Sequence, residues 1–267
     1  MIIIFTDLDG TLLDLKNYSF EKAKESLNLI HRLKIPLIIC SSKTKCEIEY
    51  FRRKLKNNHP FVSENGGGIY IPKNYLKKEI KKYKIEKSQE YFLIKLGEKY
   101  DNLRKVLNKI KNMGFKIKGF GDMSIKEIMK LTNLNKYLSK LAKTREFDEV
   151  FISEENKENE KRILSFIKKS KLKYTKGELF HILGKNNKGK AVKILKDLYK
   201  KEFGNIFSIG IGDGENDIPM LKNVELPIIV KKTDGSYIKC KDIKNAIITK
   251  LSGPAGFNET ILKILKL

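Results

Sequence analysis

Residues 2–13 read Ile2-Ile3-Ile4-Phe5-Thr6-Asp7-Leu8-Asp9-Gly10-Thr11-Leu12-Leu13. The opening apolar run has no polar alternation, which is the pattern of a strand inside a parallel sheet covered on both faces. Ligands of such sheets bind at the carboxyl ends of the strands, where Asp7 and Asp9 fall. Side chains alternate along an extended chain, so residues 7 and 9 point the same way, fit for one nucleophile and one acid/base. Gly10 lets the chain turn sharply, so that backbone can approach a phosphate or a metal.

Outward from this strand the chain alternates helix and strand. A helix is expected over Ser19 to Leu33, capped by Ser19, then an apolar strand from Pro36 to Cys40 that ends in Ser41-Ser42-Lys43-Thr44. A helix from Glu47 to Leu55, a strand at Phe61-Val62, the turn Ser63-Glu64-Asn65-Gly66-Gly67-Gly68 and a strand Ile69 to Ile71 follow. Around Tyr75 the texture changes. Strand-like Tyr91–Leu96, Phe115–Gly119, Glu149–Ser153 and Leu179–Leu183 are interleaved with helical Leu103–Met113, a helix capped by Ser124 with Glu127, and Glu158–Ser170.

After Gly184 come a helix from Gly189 to Lys200, an apolar strand from Ile206 to Ile211 and the acidic turn Gly212-Asp213-Gly214-Glu215-Asn216-Asp217. A helix near Pro219, a strand Pro227–Val230 and a last helix from about Asn258 complete the chain. The reading is an α/β core with a mainly parallel sheet, residues 1–76 and 185–267, interrupted by an α+β unit over 77–184.

The 267 residues carry 56 Lys and Arg against 32 Asp and Glu, a net charge of +24. The lysines are spread over nearly every amphipathic segment instead of forming a stripe, so a solvated surface is expected and nucleic acid is not. No apolar run approaches the ~20 residues that span a bilayer, and the first residues are not patterned as a secretory signal; the expected location is the cytoplasm. Cys40, Cys46 and Cys240 form no CxxC pair, and His31, His59 and His181 have no metal-ligand spacing.

The acidic turns after the strands at residues 5 and 211 can converge on one sheet edge, where clustered carboxylates suit Mg2+, a hard cation. Lys188 at a helix start, with Lys190 its competitor, can neutralise a phosphate, and Ser41 with the amides after it can bind other phosphate oxygens. A nucleophile, a metal, positive charge and a proton shuttle are what phosphoryl transfer needs.

Asp7-Leu8-Asp9-Gly10-Thr11-Leu12, Ser41, Lys188 and Gly212-Asp213-Gly214-Glu215-Asn216-Asp217 resemble, in order and spacing, the four motifs of the haloacid dehalogenase-like phosphatase superfamily. That resemblance implies a Rossmann-like core with an inserted type C2 cap. It implies Asp7 as nucleophile, Asp9 as acid/base, and Mg2+ held by Asp7, the Asp9 carbonyl and Asp213, with Asp217 near. Ser41 and Lys188 would bind the transferring phosphoryl group.

Ser63 to Pro72, Gly119 to Ser124, Arg145 to Glu149 and Gly253 to Glu259 further resemble the mannosyl-3-phosphoglycerate phosphatase family. The implied reaction is hydrolysis of 2-O-mannosyl-3-phosphoglycerate to mannosylglycerate, a compatible solute, and phosphate. Gly68 and Phe257 stand where the family pattern has Ala and Trp, so mannosyl and glucosyl substrates both stay open.

Substrate contacts are expected from Ser41, Ser42, Lys43, Asn65, Gly66 and Asn216 on the core side. On the cap side they are expected from Asp122, Ser124 and Arg145, the last gripping the glycerate carboxylate with two bonds. Asp122 and Ser124 also read as a helix cap, and Arg145 as a surface ion pair with Glu146 or Asp148. A broad sugar phosphatase or a phosphomannomutase-like enzyme is the alternative activity, and a basic nucleic-acid-binding protein that keeps the fold without using it is the remote one.

Overall fold

The computed structural model describes residues 1–76, 83–239 and 242–266; Cys240 and residues 77–82, where the inserted unit is expected to begin, lie outside them. In chain order the elements are β1 (Ile2–Thr6), α1 (Lys24–Arg32), β2 (Leu37–Cys40), α2 (Lys45–Lys54), β3 (Phe61–Ser63), β4 (Gly68–Pro72), β5 (Ile85–Lys87) and β6 (Tyr91–Lys95). Then come α3 (Tyr100–Asn112), β7 (Ile117–Gly119), α4 (Ile125–Thr132), α5 (Lys136–Ala142), β8 (Asp148–Ser153), α6 (Lys157–Lys169), β9 (Lys173–Lys176) and β10 (Phe180–Leu183). The remainder is α7 (Lys188–Phe203), β11 (Phe207–Gly212), α8 (Ile218–Leu221), β12 (Leu226–Lys231), β13 (Ile247–Ser252) and α9 (Gly253–Leu265).

β1 lies inside a nine-stranded sheet of order β13-β12-β11-β1-β2-β3-β4-β6-β5, paired in parallel with β11 and β2. Its all-apolar sequence follows from that position. Ile4 packs on one face with Ile39, Ile211, Phe257 and Ile261, while Ile3 and Phe5 pack on the other with Ile38, Val192, Leu195 and Tyr199.

The inserted unit has its own antiparallel sheet of order β7-β8-β10-β9. Phe151, Phe180 and Ile182 on one face of it meet Leu103, Leu107, Ile163 and Ile167 of α3 and α6. The opposite face looks toward the core, and apolar residues of α4 and α5, Ile128 and Leu138, join the cluster that contains Ile48 and Phe51 of α2.

Three elements differ from what the sequence predicts. The strand-like segment Tyr91–Leu96 does not belong to the inserted unit: β6 pairs antiparallel with β4 and extends the core sheet, with β5 beside it. Ser19 does not cap α1: a 3-10 turn over Glu21–Ala23 intervenes, and the Ser19 hydroxyl accepts from the Glu21 amide at 3.2 Å. The last helix starts at Gly253, not Asn258, because Pro254 is compatible with a first turn; the Asn258 carboxamide oxygen instead accepts from the Ser26 amide at 2.8 Å.

Candidate active site

The site is built on the carboxyl edge of the parallel strands. Asp7 follows β1, Ser41 to Lys43 follow β2, Glu64 to Gly66 follow β3 and Asp213 to Asp217 follow β11. Gly10 makes the first turn possible: its φ is +78°, and a Cβ there would lie 2.6 Å from Asp213 Oδ2.

Carboxylate oxygens of Asp7, Asp213 and Asp217 lie within 4.8 Å of one another. Lys188, completely buried at the start of α7, donates to Asp7 Oδ1 at 2.5 Å and to Asp217 Oδ1 at 2.6 Å. Burial alone would push its ammonium down, but Asp217 and Asp7 hold it above its ordinary value. The acids outnumber the cation. Burial, only partly offset by Lys188 and reinforced by the neighbouring acids, pushes Asp7 well up, and burial with the Asp217 charge pushes Asp213 up to about 7. Three oxygen donors with such a deficit of positive charge suit a hard divalent cation. Thr11 donates to Asp213 Oδ1 at 2.7 Å, and Asp217 Oδ2 accepts from the amides of Asp213 and Gly214 at 3.1 and 2.9 Å.

Asp9 stands across from this cluster. Its Oδ2 is 2.9 Å from Lys43 Nζ, which Glu47 also approaches at 3.5 Å, while the buried Oδ1 has no hydrogen-bond partner among the described residues. Lys43 sits at the turn into α2, which Thr44 and Glu47 close with a capping box. These groups form the floor of a cavity of about 580 Å3 roofed by the inserted unit.

The family model for haloacid dehalogenase-like hydrolases matches residues 4–244. The chain belongs to that family. A glucosyl-3-phosphoglycerate/mannosyl-3-phosphoglycerate phosphatase of Methanococcoides burtonii is 43% identical over 98% of this chain and 97% of its own length. The protein of the same name from Persephonella marina is 40% identical over 99% and 97%. A solved structure from Thermoplasma acidophilum, 20% identical, superposes over 100% of this chain and 99% of its own with a TM-score of 0.69. The core of this haloacid dehalogenase-like hydrolase is accordingly Rossmann-like and the inserted unit is a cap.

Asp7, Asp9, Ser42, Lys43, Arg145, Asp213, Asn216 and Asp217 all line the cavity. Lys188 lies just behind Asp7, and its competitor Lys190 turns outward to the Lys185 carbonyl oxygen at 2.5 Å. Ser41 is fully buried, its hydroxyl accepting from the Lys43 amide at 3.2 Å.

Asn65 and Gly66 also stand behind the lining. Asn65 donates to Asp148 Oδ2 at 2.8 Å and accepts from Asn216 Nδ2 at 3.0 Å, and Gly66 backs onto the Asn187 peptide, where a side chain would collide. A Cβ on Gly68 would lie 2.9 Å from the Phe147 ring, so this glycine makes room for a cap residue.

Two cap expectations fail to reach the cavity. Asp122 is 2.5 Å from Arg104, bonds Lys111 and accepts from the Gly119 amide at 3.0 Å; Ser124 caps α4 through a capping box with Glu127. Both are held by partners within the cap. Arg145 lines the cavity, but it donates to the Asp148 carbonyl oxygen at 2.6 Å and to the Ser42 carbonyl oxygen at 2.9 Å, with Asp148 and Glu64 as ion partners at 3.4 and 3.9 Å. It joins cap to core instead of offering an open fork. Thr175 to Leu179, His181, and Lys232 to Asp234 also line the cavity. The one signal for the first group is the turn residue Gly177 just before the strand-like Leu179–Leu183. Among the described residues no helix is long and apolar enough to cross a membrane.

Proposed function

We propose that this hydrolase is a Mg2+-dependent phosphatase that releases phosphate from 2-O-mannosyl-3-phosphoglycerate, and from its glucosyl counterpart, through an aspartyl-phosphate on Asp7. The observation that carries the reaction is the buried Lys188 bridging Asp7 and Asp217 at the floor of the cavity. The substrate reading is supported by the identity to the Methanococcoides burtonii phosphatase, which extends over 98% of the chain and so includes the cap.

Asp7 attacks phosphorus, the bond from phosphorus to the glycerate oxygen breaks, and Asp9 gives that oxygen a proton. Asp9, now a carboxylate, takes a proton from water as the water attacks phosphorus, which breaks the bond to Asp7 and restores both acids. Lys43 holds Asp9 through Oδ2 and leaves Oδ1 for the proton. Lys188 orients Asp7 and places positive charge beside the phosphoryl oxygens. Mg2+, which the carboxylates of Asp7, Asp213 and Asp217 and the Asp9 carbonyl would hold, supplies further charge neutralisation to those oxygens when bound.

Phosphate release is to be measured from mannosyl- and glucosyl-3-phosphoglycerate and from a panel of sugar phosphates, with Mg2+ or EDTA. The expected result is preference for the glycosyl-3-phosphoglycerates, activity that disappears in EDTA, and loss of turnover in Asp7→Asn. Full activity in that variant, or metal-independent turnover, contradicts the mechanism; a preference for simple sugar phosphates contradicts the substrate reading.

A further inference from the structure

The phosphoryl chemistry occupies the floor of the cavity and leaves open what receives the second anionic group of a phosphoglycerate, its carboxylate. Much of the lining is acidic, with Asp7, Asp9, Glu178, Asp213 and Asp234 among it. A carboxylate therefore needs a specific donor. The cap brings to the lining two cationic side chains, Arg145 and Lys176, and one imidazole, His181. Arg145 is engaged as the strut between Asp148 and Ser42. Lys176 lies over the Phe180 ring at 4.0 Å, its Nζ 3.6 Å from Glu160 of α6, which draws it to the helix-covered side of the cap sheet.

His181 differs from both. Its neighbours Phe180 and Ile182 enter the apolar core beneath α3 and α6, so strand alternation turns His181 to the other face, toward the cavity. Its Nδ1 is 2.9 and 3.0 Å from the two carboxylate oxygens of Asp148, which is itself completely buried. Asp148 is fixed in turn by Asn65, which is tied to Asn216 of the acidic turn. Asn65 holds a left-handed φ of 55° to make both bonds. A carboxylate on one ring nitrogen fixes the ring's orientation and keeps the proton there, which leaves Nε2 as the free end. With both nitrogens protonated, that end donates to an anion.

We propose, resting on the glycosyl-3-phosphoglycerate reading above, that His181, held by Asp148, binds the substrate carboxylate through Nε2. The Asn216–Asn65–Asp148–His181 chain sets this contact at a defined position relative to the acidic turn on the floor. His181 is then a specificity-determining residue, and Asp148 and Asn65 are positioning residues that act through it.

The test compares His181→Ala with wild type on glycosyl-3-phosphoglycerate and on p-nitrophenyl phosphate, which has neither carboxylate nor sugar. The ratio of kcat/KM for the first to that for the second is expected to fall about 10- to 100-fold, the size of a lost charge-assisted hydrogen bond, chiefly through KM. 3-Phosphoglycerate, which has the carboxylate but no sugar, is expected to weaken in proportion as an inhibitor of p-nitrophenyl phosphate hydrolysis. Equal losses on both substrates, or an unchanged ratio, overturn the assignment. A loss confined to the glycosylated substrate, with inhibition by 3-phosphoglycerate intact, also overturns it, because His181 then reads the sugar. A wild type that hydrolyses p-nitrophenyl phosphate but no glycosyl-3-phosphoglycerate overturns the substrate reading and this assignment with it; normal wild-type turnover with an unchanged ratio overturns this assignment alone.

Discussion

The floor and the roof of the cavity handle charge in opposite ways. On the floor, Asp7, Asp213 and Asp217 share one buried ammonium, Lys188, so negative charge is left over. In the cap, charges are paired: Asp122 on Arg104 and Lys111, Glu127 on Lys118 and the α4 cap, Arg145 on Asp148 and, across to the core, on Glu64. A buried set of like charges with too few partners is costly to folding and useful to chemistry, whereas a neutralised set mainly fixes shape. The contrast predicts that floor substitutions change turnover far more than stability and that most cap substitutions do the reverse.

The largest effect is expected at Asp7. Asp7→Asn should reduce steady-state phosphate release by about 10,000-fold or more, since it removes the proposed nucleophile. The same variant should melt a few degrees higher than wild type in EDTA, because it removes one of the crowded buried acids. A lower Tm breaks the contrast.

Arg145→Ala comes next. It leaves Asp148 and Glu64 buried without their shared guanidinium and should cost about 3–5 kcal/mol in urea unfolding. A loss below about 1 kcal/mol would place Arg145 with the exposed pairs and remove it as a strut.

Glu64→Gln sharpens the comparison through pH. Burial, opposed by Arg145 and by the amides of Phe147 and Glu146, pushes the Glu64 carboxyl up to about 8 from its ordinary 4.5. A carboxyl raised on folding contributes stability below its unfolded pKa and loses it as pH rises through the folded value. Wild type should therefore lose stability between pH 4.5 and 8 relative to the variant. Parallel Tm profiles for the two proteins across that range contradict this.

Ser124→Ala is the smallest test. Loss of the α4 cap should cost about 1 kcal/mol in unfolding free energy and leave KM alone. A raised KM would return Ser124 to the substrate side.

The same contrast explains what the sequence discloses. Asp7 and Asp213 are legible because each follows directly on an apolar run, so motif and strand end are one stretch of chain. Lys188 is chosen over Lys190 only by the motif resemblance, not by local pattern; in the structure Lys188 reaches Asp7 and Asp217 while Lys190 turns to the Lys185 carbonyl oxygen. The roof is legible only in part. Alternation separates His181 from Phe180 and Ile182, but which of the two faces meets the cavity is set by the packing of α3 and α6 on the other, a long-range contact. The Lys-Tyr-Thr-Lys run of β9 lacks the apolar content that marks a strand, and β6 joins the core sheet by pairing with β4, a contact between segments that propensity treats separately. Asp122 and Ser124 occupy a motif-like patch, yet their bonds stay within the cap.

The central claim is that Asp7, and not Asp9, carries the phosphoryl group. Borohydride quenching during turnover reduces an acyl-phosphate to the alcohol, and peptide mass spectrometry then locates it. The expected result is homoserine in place of Asp7 only when substrate and Mg2+ are both present; reduction at Asp9 with Asp7 intact, or no reduced residue while phosphate is being released, contradicts the account.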